Sequence, residues 1–133
     1  MKEPVLVIIG NGITGITVAR TVRKQFKDVR IRIISDESDF FFSRPALMYI
    51  YMGHMEAKQT EPYERRFYDD NRLELIRGTV DSLEPGQGKI LLSSGQHIPY
   101  DYLVLATGSV PNRFGWPGQD LDGVQGLYSM QDL

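Results

Sequence analysis

Gly10, Gly12 and Gly15 stand between the apolar run Val5-Leu6-Val7-Ile8-Ile9 and a stretch whose apolar residues recur at helical spacing, so they spell G-x-G-x-x-G at a strand-to-helix turn. Each glycine has its own task there. The first permits a sharp turn off the strand, the second leaves room for a pyrophosphate to approach the backbone, and the third lets helix and strand pack closely. After Gly12 the free N–H groups of the first helical turn, at Ile13 and Thr14, point at an anion, and the helix dipole adds roughly 0.3–1 kcal/mol of favourable field. The predicted chemistry is the holding of a diphosphate by main-chain amides.

A dinucleotide site also calls for an acidic residue roughly 20 residues further on, at the end of the second strand, to accept hydrogen bonds from a ribose. Asp36 and Glu37 both qualify by distance. Glu37 falls on the strand face of Ile31, Ile33 and Ser35 and reaches further, which ranks it ahead of Asp36. The competing reading is that Asp36, Glu37 and Asp39 only solvate a turn. An acidic sugar partner argues against a 2′-phosphate.

Among the elements that carry these residues, 5–9 read as a strand buried on both faces, and helical spacing runs from Ile13 to about Phe26. Arg20, Arg23, Lys24 and Lys27 fall on the outer side and last turn of that helix, and small Ala19 on its sheet-facing side. Residues 30–35 form a second strand, completing a βαβ unit with an expected right-handed crossover. Residues 40–45 are expected to be non-helical just before Pro45, because the proline ring disfavours the α region at the preceding residue. A short helix over 46–52 ends at Gly53, a second covers 63–71, and 73–76 is a short strand. The segments 80–83, 89–92 and 96–98, separated by Pro85-Gly86-Gln87-Gly88 and Ser94-Gly95, predict a small antiparallel meander. The uniformly apolar run at 102–106 returns to the central parallel sheet. Residues 111–126 read as an irregular excursion, and 129–133 as the first turn of a further helix. The expected class is therefore α/β: a Rossmann-like central parallel sheet with a βαβ unit, plus the meander.

The bulk numbers agree with one domain. The 133 residues are 41% hydrophobic and 24% charged, and no apolar run approaches the roughly 20 residues that span a bilayer. Met1-Lys2-Glu3-Pro4 leads straight toward the strand without a signal-peptide pattern, so a cytoplasmic location is expected. Absence of cysteine excludes disulfides and a redox-active thiol within the chain. A net charge of −2, with Lys24, Arg65 and Arg66 read as solvated side chains, gives no footprint for nucleic acid. His54 and His97 are isolated, so neither a metal site nor a general acid or base is expected.

Taken together, the glycine turn, Glu37, Phe42-Ser43-Arg44-Pro45-Ala46-Leu47 and the run from Tyr100 through Ala106-Thr107-Gly108 to Pro111 resemble the two-dinucleotide flavoproteins of the pyridine nucleotide-disulfide oxidoreductase family. The resemblance implies that the first glycine motif takes FAD, and that Ala106, Thr107 and Gly108 pass beside its pyrophosphate and ribityl region. It also implies that Arg44 and Pro45 lie near the flavin, with Arg44 a cation for phosphates or the ring's polar edge, and that the Val80 backbone meets the adenine. Met48, Tyr49 and Tyr51 are candidates for the flavin face, with core packing as the alternative. The implied activity is hydride transfer from NAD(P)H to the flavin and onward passage of electrons to an acceptor that the sequence does not identify.

Departures narrow the chemistry. Relatives that use thiols carry a cysteine around Ser43; this chain has none. Met48 and Tyr49 occupy the neighbourhood where iron–sulfur-partnered reductases often have a lysine, and Asn112 stands where many members have arginine. The resemblance also implies an inserted NAD domain and a later flavin-binding stretch, so residues 1–133 are expected to be a partial FAD/NAD(P)-binding domain that pairs with the remainder of its own chain. Two alternatives stay open: a non-catalytic module for ADP, NAD or FAD, and an empty folded fragment that caps its exposed edge by homo-oligomerisation.

Overall fold

A computed structural model describes residues 3–133; the reading of Met1 and Lys2 lies outside the described residues. Strand β1 (Val5–Ile9) sits in the interior of a four-stranded sheet ordered β3-β2-β1-β7, with β2 at Arg30–Ser35, β3 at Leu73–Arg77 and β7 at Tyr102–Leu105. Every pairing in that sheet is parallel. Helix α1 (Ile13–Gln25) links β1 to β2.

The unbroken apolar character of β1 follows from what covers its two faces. Leu6, Ile8, Ile31 and Ile33 pack with Ile16 and Ala19 of α1 and with Phe41, Tyr68 and Leu73. Val7 and Ile34 face the other way, onto Ile90, Leu92 and Ile98. The latter belong to a three-stranded antiparallel sheet of β4 (Val80–Glu84), β5 (Lys89–Leu92) and β6 (His97–Pro99). The meander is thus the second cover of the central sheet, and its three inward side chains are each at most 3% exposed. Truncating one such buried isoleucine to alanine costs about 2–5 kcal/mol.

Three expectations need correction. Arg23 is not on the outer side of α1: it is only 5% exposed, and its guanidinium donates to the carbonyls of Lys27 (2.9 Å), Phe26 (3.3 Å), Asn71 (2.8 Å) and Arg72 (3.2 Å). The helix end and the turn before β3 leave carbonyls outside any ladder, and one fork of donors satisfies both. Arg44, the residue before proline, opens a short 3₁₀ turn (Arg44–Ala46) that leads into α2 (Leu47–Tyr51). Proline fits there because the turn's first bond, Ala46 N–H to Ser43 O at 2.9 Å, asks no donor of Pro45. The helix expected over 63–71 is confined to α3 (Arg66–Asp70).

β7 returns to the parallel sheet as expected, but as an edge strand with Tyr102 and Leu105 more than half exposed. Residues 106–129 carry no helix or strand, and a 3₁₀ turn at Met130–Asp132 stands where a helix start was expected. No helix among the described residues is long and apolar enough to cross a membrane.

Candidate nucleotide-binding site

β1 is the point where the sheet's order reverses, since the chain proceeds to β2 and β3 on one side and later adds β7 on the other. Such a reversal opens a crevice outside the carboxyl ends of the two diverging strands. Gly10 leaves β1 at that point, and Ala106 leaves β7 beside it, its N–H donating to Ile9 O at 2.8 Å. A cavity of about 690 Å³ opens there.

The glycines divide their work differently from one another. Gly10 has φ +110, and a Cβ on it would stand 2.1 Å from Ala106 O, so side chains are excluded both by conformation and by the abutting turn. A Cβ on Gly15 would lie 1.9 Å from Gly10 O, which makes it the seat of the turn on the helix. Gly12 is the opposite case. Its φ of −85 is open to any residue and a Cβ would meet nothing within 4 Å. It is the N-cap of α1 and supplies no side-chain cap, and the helix's first turn carries no acidic residue, so the leading amides are left for another acceptor. Asn11 adds a second demand: it is 7% exposed, and its Oδ1 is buried with no hydrogen-bond partner. An uncapped helix start over an open glycine fits the diphosphate of a dinucleotide, and the orphaned amide oxygen fits a donor arriving with a ligand or its water.

Of the residues singled out from the sequence, Gly10, Gly12, Ile13, Asp36, Glu37, Arg44, Pro45, Val80, Ala106, Thr107 and Gly108 all line this one cavity. Thr14 and Gly15 do not; Thr14 is exposed on the first helical turn and Gly15 is buried beneath it. Met48, Tyr49 and Tyr51 neither line the cavity nor enter the core, each being about half exposed or more. Asn11 and the Gly78-Thr79 pair were missed. Their signal was slight: a polar residue inside the glycine turn, and a glycine at the join of two strands.

The loop from Phe40 to Pro45 is held by aromatic packing. The Phe41 N–H donates to Tyr68 Oη at 3.1 Å, Phe40 and Tyr68 rings lie 5.2 Å apart, and Tyr63 stacks on Phe67 at 4.4 Å. Ser43 N–H donates to the carbonyl of buried Thr60 at 2.8 Å. This places Arg44 against Glu37, with Nη2 to Oε2 at 2.7 Å and Nη1 to Oε1 at 2.9 Å. The hydrogen bonds to Glu37 hold the Arg44 guanidinium above its ordinary pKa. Arg44 was expected to face phosphates or the ring edge; the partner found is the carboxylate of Glu37. Asp36 is exposed, whereas Glu37 is half-buried.

An open parallel sheet with a glycine turn at its switch point defines an α/β domain of the Rossmann type. The pyridine nucleotide-disulphide oxidoreductase family model matches residues 4–133, and the chain belongs to that family. It is 31% identical over 127 residues to the ferredoxin–NAD(+) reductase subunit of the benzene 1,2-dioxygenase system of Pseudomonas putida, covering 95% of this chain and 31% of that protein. It is 34% identical over 134 residues to an NADH oxidase of Methanocaldococcus jannaschii, covering 95% of this chain and 30% of that one. The crystal structure of a ferredoxin reductase from Rhodopseudomonas palustris superposes with a TM-score of 0.84 at 30% identity, over 96% of this chain and 31% of that one. The chain therefore spans about three-tenths of the length of these relatives.

Proposed function

We propose that residues 1–133 form the FAD-binding portion of a longer NAD(P)H-dependent flavoprotein oxidoreductase that passes electrons from NAD(P)H through FAD to an acceptor. The observation that carries this reading is the abutment of the Gly10 turn on the Ala106-Thr107-Gly108 turn at the switch point of the sheet, where an uncapped helix start faces an open cavity. In it, the amides of Ile13 and Thr14 hold the pyrophosphate over Gly12, while Gly15 keeps that helix start in place. Glu37, with Asp36 beside it, accepts from the sugar. The Val80 backbone borders the adenine, and Arg44, Pro45, Ala106, Thr107 and Gly108 wall the remaining length. Bound there, FAD supplies the hydride and electron chemistry. The part of residues 1–133 is to bind, orient and enclose. The remainder of the chain completes the site for NAD(P)H, and the cytoplasm is the setting for such a donor.

The test is reconstitution of the protein with FAD and, separately, with NAD, followed by gel filtration. Co-eluting flavin absorbance is expected, with NAD lost. Retention of NAD in preference to FAD would instead support the non-catalytic nucleotide module.

A further inference from the structure

Glu37 and Arg44, which line one end of the cavity, are held by residues that lie far along the chain. Glu37 Oε1 accepts from Arg44 Nη1 at 2.9 Å and from the Met130 N–H at 3.2 Å, and Oε2 accepts from Arg44 Nη2 at 2.7 Å. Gln131 Nε2 donates to the Glu37 carbonyl at 3.0 Å. Arg44 also donates to the Tyr128 carbonyl, and its guanidinium carbon stands 4.5 Å from the centre of the Tyr128 ring. The Tyr128 hydroxyl lies 2.8 Å from Ser109 Oγ, one residue beyond Gly108. Asp132 Oδ2 accepts from the N–H groups of Tyr128 (2.8 Å) and Ser129 (2.6 Å), which braces the turn carrying Tyr128.

We propose that Tyr128 is a positioning residue for the nucleotide site: it holds Arg44, and Arg44 in turn aims the Glu37 carboxylate. The proposal rests on the nucleotide reading above. A guanidinium fork can pair with a carboxylate in several orientations unless its own plane is fixed. Here one face rests on the Tyr128 ring, with Phe42 a more distant neighbour at 5.4 Å, and the backbone carbonyl of Tyr128 accepts a hydrogen bond from the fork. A carboxylate has about four acceptor positions. Arg44 and Met130 fill both positions on Oε1 and one on Oε2, so the free position is on Oε2, aimed by the fork. Tyr128 also spans from that corner to the turn after β7, tying together the two walls that a nucleotide would lie between.

The test is an NMR titration that follows the Gly12 and Ile13 amides, with ADP and with inorganic pyrophosphate as separate probes, on the wild type, Tyr128→Phe and Tyr128→Ala. Pyrophosphate reports on the glycine turn alone; ADP adds the sugar corner. Tyr128→Ala should weaken ADP by about three- to tenfold, the range of a lost cation–π contact, and leave pyrophosphate within about twofold. Tyr128→Phe keeps ring and carbonyl and should stay within about twofold for both. Equal weakening of both probes in Tyr128→Ala would reveal general loosening and overturn the proposal, as would unchanged ADP affinity. If the wild type binds pyrophosphate but gains nothing from the nucleoside of ADP, or binds neither, the nucleotide reading itself falls first.

Discussion

Gly12 and Gly10 occupy neighbouring places in one motif and answer to different forces. The backbone of Ala106 and a left-handed φ require glycine at position 10, so the requirement belongs to folding. At position 12 nothing in the protein touches the missing Cβ, so the space belongs to whatever enters the cavity. Gly12→Val should therefore cost no more than about 1 kcal/mol of stability, the scale of an N-cap change, while abolishing FAD uptake. Gly10→Ala should cost about 3 kcal/mol or more through strain and a backbone clash. Urea unfolding read alongside flavin fluorescence quenching separates the two. A Gly12→Val protein as unstable as Gly10→Ala would contradict the assignment of Gly12 to the ligand.

At the scale of elements, the site depends on how β3 and the Phe40–Pro45 loop are hung on α1. Arg23 is the tie between the end of α1 and the turn into β3, where Arg72 adopts φ 49, a left-handed conformation unusual for a side chain of this size. Burial lowers the Arg23 pKa from its ordinary value, but four carbonyl partners keep the charged fork satisfied. Arg23→Met fills much of the same volume and removes every donor. It should destabilise the protein by about 2–4 kcal/mol, with the loss seen as a lower urea midpoint and faster hydrogen exchange across β3. Lysine should not rescue it, because a single ammonium cannot reproduce the fork.

Across the whole molecule, stability should follow pH through groups that bear on the sheet and on the turn carrying Tyr128. Glu74, bonded by Arg30 (3.0 Å) and Arg32 (3.1 Å) across β2 and β3, has its pKa held below the ordinary 4.5. Backbone N–H groups of Ser129 and Tyr128 likewise hold Asp132 below 3.8. A depressed folded pKa contributes stability that is present above the unfolded value and lost as pH falls through the folded one. Melting temperature should thus decline below about pH 4.5, and Glu74→Gln should flatten that acid limb. Tyr68 works in the other direction: burial raises its pKa above 10.0, so its contribution holds below pH 10.0 and is lost as pH rises through the folded value. An acid limb unchanged in Glu74→Gln would remove Glu74 from this account. The Glu74 ion pairs are partly solvent-exposed and so are screened, and their share of the effect should shrink with added salt.

How much of this could be read before the fold was known varies with the range of the forces involved. The β1–α1–β2 unit, the meander and the glycine turn were legible because apolar period, turn residues and backbone freedom are local properties written in consecutive residues. Which residues meet across the chain was not local. No periodicity marks Arg23 as buried, since its partners are carbonyls of residues 26, 27, 71 and 72 that any sequence would supply. Nor does any pattern bring Tyr128 to Arg44, or reveal that Ala106 O presses on Gly10. The amino-acid sequence by itself determined the β1–α1–β2 unit, the meander and the glycine turn. Only the tertiary structure decided which side chains share the cavity, because those contacts depend on sheet order and loop path, which link residues with no regular spacing between them.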